Sequence, residues 1–153
     1  MMGRESRFGS NREMQSSEEE IFSLFKVDMP LREIVKRNAK HLFSRNSKLE
    51  RYIQRLAKKI ERTQLRKFYN YIRSLQSQWK DKKGKLTQED KLKLLKINIY
   101  LAYAVGRKLI DKGTLDTLFS LMIEKIETYE DFQALIDVFE AIIAYHVYYR
   151  PKG

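Results

Sequence analysis

The segment Glu61–Trp79, ERTQLRKFYNYIRSLQSQW, combines basic and aromatic residues in a way that decides the fold class. Its large apolar residues recur every three or four positions, at Leu65, Phe68, Tyr69, Ile72, Leu75 and Trp79. That period belongs to one face of an α-helix, and such a face has to be buried against other elements. The segment therefore predicts a helical domain and leaves open what its basic residues do.

Similar apolar stripes lie on both sides of this segment, separated by residues that start or stop helices. The pattern predicts helix starts near Ser17, Asp28, Lys48, Thr63, Thr87, Leu115 and Tyr129. It predicts helix stops at Pro30, the SRNS of residues 44–47, Gly84 and Gly113. No strand-like alternation persists, so the predicted fold class is all-α, a compact bundle of five or six helices.

Two of these predictions are specific enough to test. The helical spacing of the apolar residues is interrupted near Thr63, which favours two helices meeting there. The second helix would then carry Arg66 and Lys67 in its first turn, where free N–H groups attract anions. The helix that starts at Thr87 is predicted to run to about Asp111. Its predicted inward-facing residues are Leu92, Leu95, Ile99, Ala102, Tyr103 and Val105.

Length and composition fit one domain. The chain has 153 residues, 42% of them hydrophobic, with six Gly and two Pro, which favours a helical core. Residues 1–15 are polar and are predicted to be a flexible tail, with residues 16–153 forming a single helical bundle. No apolar run approaches the ~18 residues of a membrane span, no signal peptide is visible and Cys is absent, so we expect a cytoplasmic protein without membrane contact.

The charge is concentrated in the middle of the chain. Residues 31–108 hold 23 Lys and Arg against 6 Asp and Glu, whereas residues 109–149 hold 2 against 8. A strongly basic region of this kind is typical of a protein that binds a polyanion, most often nucleic acid. Lys-rich surfaces also serve solubility or form ion-pair networks at high temperature, and that alternative stays open.

Signs of catalysis are few. The glycines are scattered and form no phosphate-binding loop, and the two histidines, His41 and His146, lack the spacing of metal ligands. His146 lies on an apolar stripe, which favours a core or interface histidine with its hydrogen bonds satisfied. We therefore predict no enzyme, no metal and no cofactor.

Basic residues follow one another at helical spacing before and through the Glu61–Trp79 segment. They are Arg51, Arg55, Lys58, Lys59, Arg62, Arg66 and Arg73. A row of this kind suits phosphates that repeat along a backbone, because Arg binds phosphate through two parallel hydrogen bonds. The alternative is a solvated outer face. Of the aromatic residues, Phe68 and Trp79 are predicted to lie in the core, and Tyr71 either stacks on a base or is simply exposed.

Three segments resemble one known family. TQLRKFYNYI (63–72), LKINIYLAYAVGRK (95–108) and FQALIDVFEAIIAYHVYY (132–149) are similar, in that order, to motifs of the small subunit of type III-A CRISPR effector complexes, the Csm small subunit. The resemblance spans about residues 31–149. The chain departs from the family pattern at Leu135, where Phe is commoner, and at Val147, where Lys is common.

The resemblance implies a role in antiviral defence that composition does not show. Such subunits form a short stack inside a ribonucleoprotein and hold crRNA and target RNA by the sugar-phosphate backbone, without catalysis. The implied partners are crRNA, target RNA, the backbone and large subunits, and copies of itself. The motifs map RNA contacts onto Arg66, Lys67 and Arg107. The predicted RNA-binding set, extended by the basic row and by position, is Arg55, Lys59, Arg62, Arg66, Lys67, Arg73, Arg107 and Lys108.

The uneven charge suggests how copies could stack. A basic face from one copy could meet the acidic C-terminal part of the next, with Glu124, Glu127, Glu130 and Asp131 as contacts. Alternatively, the two parts neutralise each other inside one subunit. Two other functions stay open for the whole chain: a helix-turn-helix-like DNA- or RNA-binding protein, and a helical adaptor that binds only protein.

Overall fold

The structure is a computed structural model that describes residues 17–150. Within that range the chain is all-α. A helical segment at residues 17–24 (α1) is followed by seven α-helices and one 3₁₀ turn, and no strand is present. The helices are α2 (Leu31–Arg37), α3 (Ala39–Phe43), α4 (Lys48–Leu56), α5 (Arg62–Gln78), α6 (Gln88–Gly106), α7 (Leu115–Glu124) and α8 (Tyr129–Tyr149). The predicted tail at 1–15 lies outside the described residues.

The fold class is confirmed, but the predicted number of helices was too low. One reason is Asn38, which divides the helix predicted from Asp28 to Phe43 into α2 and α3. Its side-chain amide donates to the Ile34 carbonyl at 2.8 Å, and its backbone N–H also bonds within the last turn of α2. Asn side chains compete with the helical ladder in this way, so the helix stops.

The last helix, α8, is the centre of the bundle. It packs against α2, α3, α4 and α5, while α6 packs mainly on α7. Buried residues therefore occur on several of its sides, including Ala134, Leu135, Ile136, Val138 and Phe139. A helix that is apolar around much of its circumference is a core helix.

One buried carboxylate joins the N-terminal helices to α8. Asp131 is fully buried and completes the predicted capping box with Thr128 at the start of α8. It also accepts hydrogen bonds from the backbone N–H and the guanidinium of Arg32, at 3.0 and 3.1 Å. The prediction that Asp28 caps α2 was wrong, because Pro30 is the N-cap residue and Asp131 supplies the acceptor instead.

The junction between α4 and α5 differs in detail from the prediction. The chain passes through a 3₁₀ turn, Ala57–Lys59, and an extended Ile60 before α5 begins at Arg62. The N-cap is Glu61, whose carboxylate accepts from the Gln64 backbone N–H at 2.8 Å. The junction was therefore predicted correctly, but Thr63 does not cap it.

The end of α5 and both ends of α6 were predicted with mixed success. Helix α5 stops at Gln78, well before Gly84, which has φ +81° in the following loop. Thr87 does cap α6, accepting from the Asp90 N–H at 3.1 Å. The predicted end at Asp111 was wrong, because α6 stops at Gly106.

The predicted buried face of α6 was the wrong one. The buried apolar residues are Leu94, Ile97, Leu101 and Ala104. The predicted inward residues are exposed or only partly buried, with Leu92 56%, Ile99 65% and Tyr103 62% exposed. This helix carries two apolar stripes, and the spacing of apolar residues alone does not say which of them faces the core.

Candidate nucleic-acid interface

The fold brings two distant basic segments together at one end of the bundle. The α4–α5 junction lies against the turn that follows α6, where Ile60 and Ile110 form an isolated β-bridge and the Glu61 N–H donates to the Leu109 carbonyl at 3.1 Å. Lys59 and Arg62 on the junction therefore lie close in the fold to Arg107 and Lys108 on the turn. We call these four residues and Arg66 the basic end.

Arg107 and Lys108 are held by the way α6 ends. Arg107 is the C-cap residue, and its guanidinium donates to the Tyr103 hydroxyl at 3.2 Å. Lys108 has φ 62°, a left-handed backbone conformation that turns the chain back towards the junction. Both side chains are exposed, so they can reach a ligand without leaving the fold.

Acidic neighbours lie beside Lys59 and beside Arg73, both of them predicted contact residues. The Lys59 ammonium lies 3.9 Å from the Asp111 carboxylate, and the Arg73 guanidinium lies 3.7 Å from that of Glu140. All four side chains are about half exposed, and ion pairs of this kind contribute little to stability. An incoming phosphate at either position would compete with a carboxylate.

The remaining predicted residues, Arg55 and Lys67, are exposed on α4 and α5. The basic row does not form one continuous helix face, because residues 57–61 interrupt it. Arg66 and Lys67 lie in the second turn of α5, not the first. The first-turn N–H of Gln64 is already paired with the Glu61 carboxylate and is therefore not available to an anion.

Helices α5 and α8 enclose a groove next to the basic end. It has a volume of about 280 Å³. Its apolar lining comes from Leu65 and Tyr69 of α5 and from Ile143 and Val147 of α8. Arg62, Arg66 and Asn70 line it along α5, and His146 lines it from α8. We call this the α5–α8 groove.

The charge next to the groove changes along α5 and α8. Beside Arg62 and Arg66, the α8 side is apolar or neutral. About two turns of α5 beyond Arg66, Glu140 faces Arg73, and about three turns beyond it Gln133 accepts from the Gln76 amide at 3.1 Å. Near Arg62, therefore, α8 contributes no carboxylate to the lining of the groove.

His146 supports the wall of the groove. It is 1% exposed, and its Nε2 lies 3.1 Å from the Ala57 carbonyl and 3.0 Å from that of Ile60. Burial lowers the pKa of its imidazole, only partly offset by these two carbonyls, and the nearby Arg150 and Arg62 lower it further. The prediction of a satisfied core histidine is confirmed.

The aromatic residues of the Glu61–Trp79 segment fall into three groups. Phe68 and Trp79 are buried, as predicted. Tyr71 is neither a stacking platform nor freely exposed: its hydroxyl donates to the Lys93 carbonyl at 3.0 Å and its ring meets Tyr100 edge-on. Tyr69 lines the α5–α8 groove.

Sequence reasoning missed two contributors near the basic end. Arg150 donates to the Ile60 carbonyl at 2.8 Å and fixes the end of α8 to the junction. Asn70 lines the groove next to Tyr69. The signal available for Asn70 was its i, i+4 spacing from Arg66, which places both on one face of α5.

Glu50, one of the few acids in the basic row, has a structural role. It is 1% exposed and accepts from Arg45 Nε at 3.0 Å, from the Asn46 N–H at 2.9 Å and from the Tyr149 hydroxyl. The hydrogen bonds from Arg45 and Tyr149 lower the pKa of its carboxyl to about 2. Its charge is thus neutralised locally and does not weaken the basic end.

Among the described residues, 17–150, no group of three or more His, Cys, Asp or Glu side chains is placed to hold a metal ion. Within the same range, no helix combines the length and apolar character that crossing a bilayer requires.

Comparison with known proteins agrees with the sequence motifs. Neither the curated proteins nor the solved structures contain a match to the chain. A family model described as Csm2 Type III-A matches residues 36–152, which is well over half of the chain. This range includes the α4–α5 junction, the turn after α6 and the α5–α8 groove. The chain belongs to the Csm2 Type III-A family.

Proposed function

We propose that this chain is the non-catalytic small subunit of a type III-A CRISPR interference complex in the cytoplasm, and that it binds the backbone of crRNA paired with target RNA. The observation that carries the proposal is the basic end. It joins Lys59, Arg62 and Arg66 to Arg107 and Lys108 across a β-bridge between segments about 50 residues apart.

The chemistry of the basic end favours backbone contacts over base reading. Its members are Arg and Lys side chains that lie on a helix, a junction and a turn, and such groups bind phosphates without regard to sequence. Arg55 and Lys67, exposed on α4 and α5, are further candidate contacts. Lys59 and Arg73 contribute less than unpaired cations would, because a phosphate there would have to compete with Asp111 or Glu140.

RNA binding by the full chain, measured by fluorescence anisotropy across a salt series, tests this proposal. Single-stranded RNA, duplex RNA and duplex DNA are compared. We expect sequence-independent RNA affinity with a steep log–log salt slope. In an Arg62→Ala/Arg66→Ala variant the slope should fall by roughly 0.7 for each phosphate that is no longer neutralised.

A charge-matched control separates this surface from the overall positive charge. Lys36→Ala/Lys40→Ala removes two exposed cations from α2 and α3 that do not line the groove, and this variant should bind RNA like the unchanged chain. Equal losses of affinity in the two double variants would mean that net charge alone drives binding. A preference for duplex DNA would favour the helix-turn-helix alternative.

We further propose that copies of the subunit stack through the second apolar stripe of α6. Its residues Leu92, Leu95, Ile99 and Tyr103 recur at helical spacing and are between 44 and 65% exposed. Exposed apolar stripes of this kind mark protein contacts. The exposed Lys96 on the same helix gives this face a basic edge, which complements the exposed acids of a neighbouring copy, such as Glu130 and Asp137 on α8.

The structure changes which acids can take part in such stacking. Asp131 is buried against Arg32, and Glu127 pairs with Lys91 of the same subunit at 3.2 Å. Part of the charge difference is therefore neutralised inside one subunit. Glu124 and Glu130 remain exposed.

Sedimentation of an Ile99→Glu variant tests the stacking surface. A charge in the middle of the stripe should weaken self-association or incorporation into the complex, because it would have to be desolvated there. Val27→Glu is the matched control, since Val27 is also exposed and apolar but lies outside α6. Unchanged association in Ile99→Glu would show that the stripe does not join the copies.

A further inference from the structure

We propose that the α5–α8 groove binds one unpaired nucleobase of the RNA that the basic end holds. This inference rests on the proposed RNA binding and goes beyond it, because the basic end by itself explains only backbone contacts. The groove lies beside Arg62 and Arg66, so a nucleotide whose phosphate meets these cations carries its base next to an apolar cleft.

The size of the groove fits a single heterocycle. Its volume of about 280 Å³ lies just below the roughly 300–1,000 Å³ of sites that enclose drug-sized ligands. It is open to solvent on one side, so a base could enter while its ribose and phosphate stay outside.

The lining has the mixture that a base requires. The Tyr69 ring is half-buried and packs against Phe139, with ring centroids 5.6 Å apart, and the Arg73 guanidinium lies 5.9 Å from its centroid, so the ring is held in place. Ile143 and Val147 supply apolar contact from α8, and the exposed Asn70 carries an amide that can pair with a base edge. Aromatic contact plus adjacent cations is how sequence-tolerant sites bind single-stranded nucleic acid.

The charge around the groove argues for an RNA base over an acidic or basic peptide. The described residues that line the groove include no carboxylate, so a cationic side chain would find no partner among them. A carboxylate from a peptide could reach the two arginines but would leave the apolar walls uncovered. A nucleotide matches both the two arginines and the apolar walls, because its anionic phosphate and its flat base are separate groups of one molecule.

Binding of two oligonucleotides by the full chain tests the inference. One is a short single-stranded oligouridylate and the other is the abasic ribose-phosphate chain of equal length and charge. We expect the base-bearing RNA to bind about fivefold tighter or more, which is the lower limit for one stacked base. The two should show the same salt dependence, because their phosphates are the same.

Val147 is 38% exposed, so Val147→Trp should block the groove from its exposed edge. We expect this variant to lose the preference for base-bearing RNA while keeping its affinity for the abasic chain. Ala39→Trp adds the same side chain to an exposed site on α3, which contributes nothing to the groove. That control should retain the preference.

The outcomes separate this inference from the proposed function. Equal binding of the two oligonucleotides with a steep salt slope would overturn the base site and leave backbone binding intact. A preference that survives in Val147→Trp would place the base elsewhere and also overturn it. Loss of self-association in Val147→Trp with unchanged RNA binding would make the groove a protein interface. No binding of either oligonucleotide would overturn both proposals.

Discussion

Single buried carboxylates hold parts of this fold together, and Glu50 is the clearest case. It lies in a mainly basic stretch, yet its oxygens face Arg45, Asn46 and Tyr149. The hydrogen bond from Tyr149 ties the start of α4 to the end of α8, which spans 99 residues of sequence. An acid among cations is visible in the sequence, but the partners that it meets are set by the fold.

Removing Glu50 should destabilise the protein. Glu50→Ala removes charge-assisted hydrogen bonds from a buried site, and we expect the free energy of unfolding to fall by about 2–3 kcal/mol. Denaturant unfolding measures the change. Glu33→Ala is the control, because Glu33 is partly exposed and lies 3.9 Å from Arg37, and it should change stability by well under about 1 kcal/mol.

Glu50 also predicts how the protein responds to acid. Its pKa is lowered from 4.5 to about 2 in the folded state. Its contribution to stability is therefore fully present above pH 4.5 and is lost as the pH falls towards 2. Thermal unfolding between these values should show a weaker loss of Tm in Glu50→Gln than in the unchanged chain; equal losses would contradict this role.

Among the elements, most helix positions could be predicted from the sequence because their signals are local. Apolar spacing located α5, α7 and α8, and capping residues located the starts of α6 and α8. The starts of α2 and α5 were misplaced. At α2 the acceptor comes from Asp131, which is 99 residues away from Arg32, and no local pattern carries that information.

Helix α6 shows a different limit. Its sequence offers two apolar stripes, and packing in the fold, mainly against α7, decides which one is buried. The candidate site has the same limit: its basic residues could be chosen by type and spacing, but the pairing of the α4–α5 junction with the turn after α6 is a long-range contact. The α5–α8 groove likewise needs both helices in place.

The N-cap of α5 gives a prediction at this scale. Glu61→Ala should lower the free energy of unfolding by about 0.5–1 kcal/mol, because the Gln64 N–H loses its acceptor. Thr63→Ala, two residues on and exposed, should have a smaller effect. If denaturant unfolding showed a larger loss of stability in Thr63→Ala than in Glu61→Ala, Thr63 would be identified as the cap.

Across the whole molecule, His146 couples stability to pH near neutrality. Burial lowers its pKa below the ordinary 6.5, so the folded protein keeps the imidazole neutral. The unfolded chain binds the proton more readily, so stability is fully present above pH 6.5 and falls as the pH drops below it. Because the ring lies between α8 and the α4–α5 junction, protonation places a buried charge where these parts meet, near Arg62 and Arg150.

Thermal unfolding measured at a series of pH values from roughly 7.5 to 5 checks this prediction. We expect Tm to fall across the lower half of that range, and His146→Gln to flatten the fall while lowering stability at neutral pH. If the Tm of His146→Gln fell with pH in the same way as that of the unchanged chain, other groups would cause the pH dependence.

The central position of α8 has a consequence for the synthesis of the protein. Helix α8, which packs against α2, α3, α4 and α5, is the last of the described helices to be synthesised. Until residues 129–149 emerge, the apolar faces of α2, α4 and α5 have no partner in α8, and the strongly basic middle of the chain is exposed beside ribosomal RNA. Folding of this part of the bundle must therefore wait until α8 has been synthesised, and a chain that stops before Tyr129 should be a substrate for chaperones and proteases.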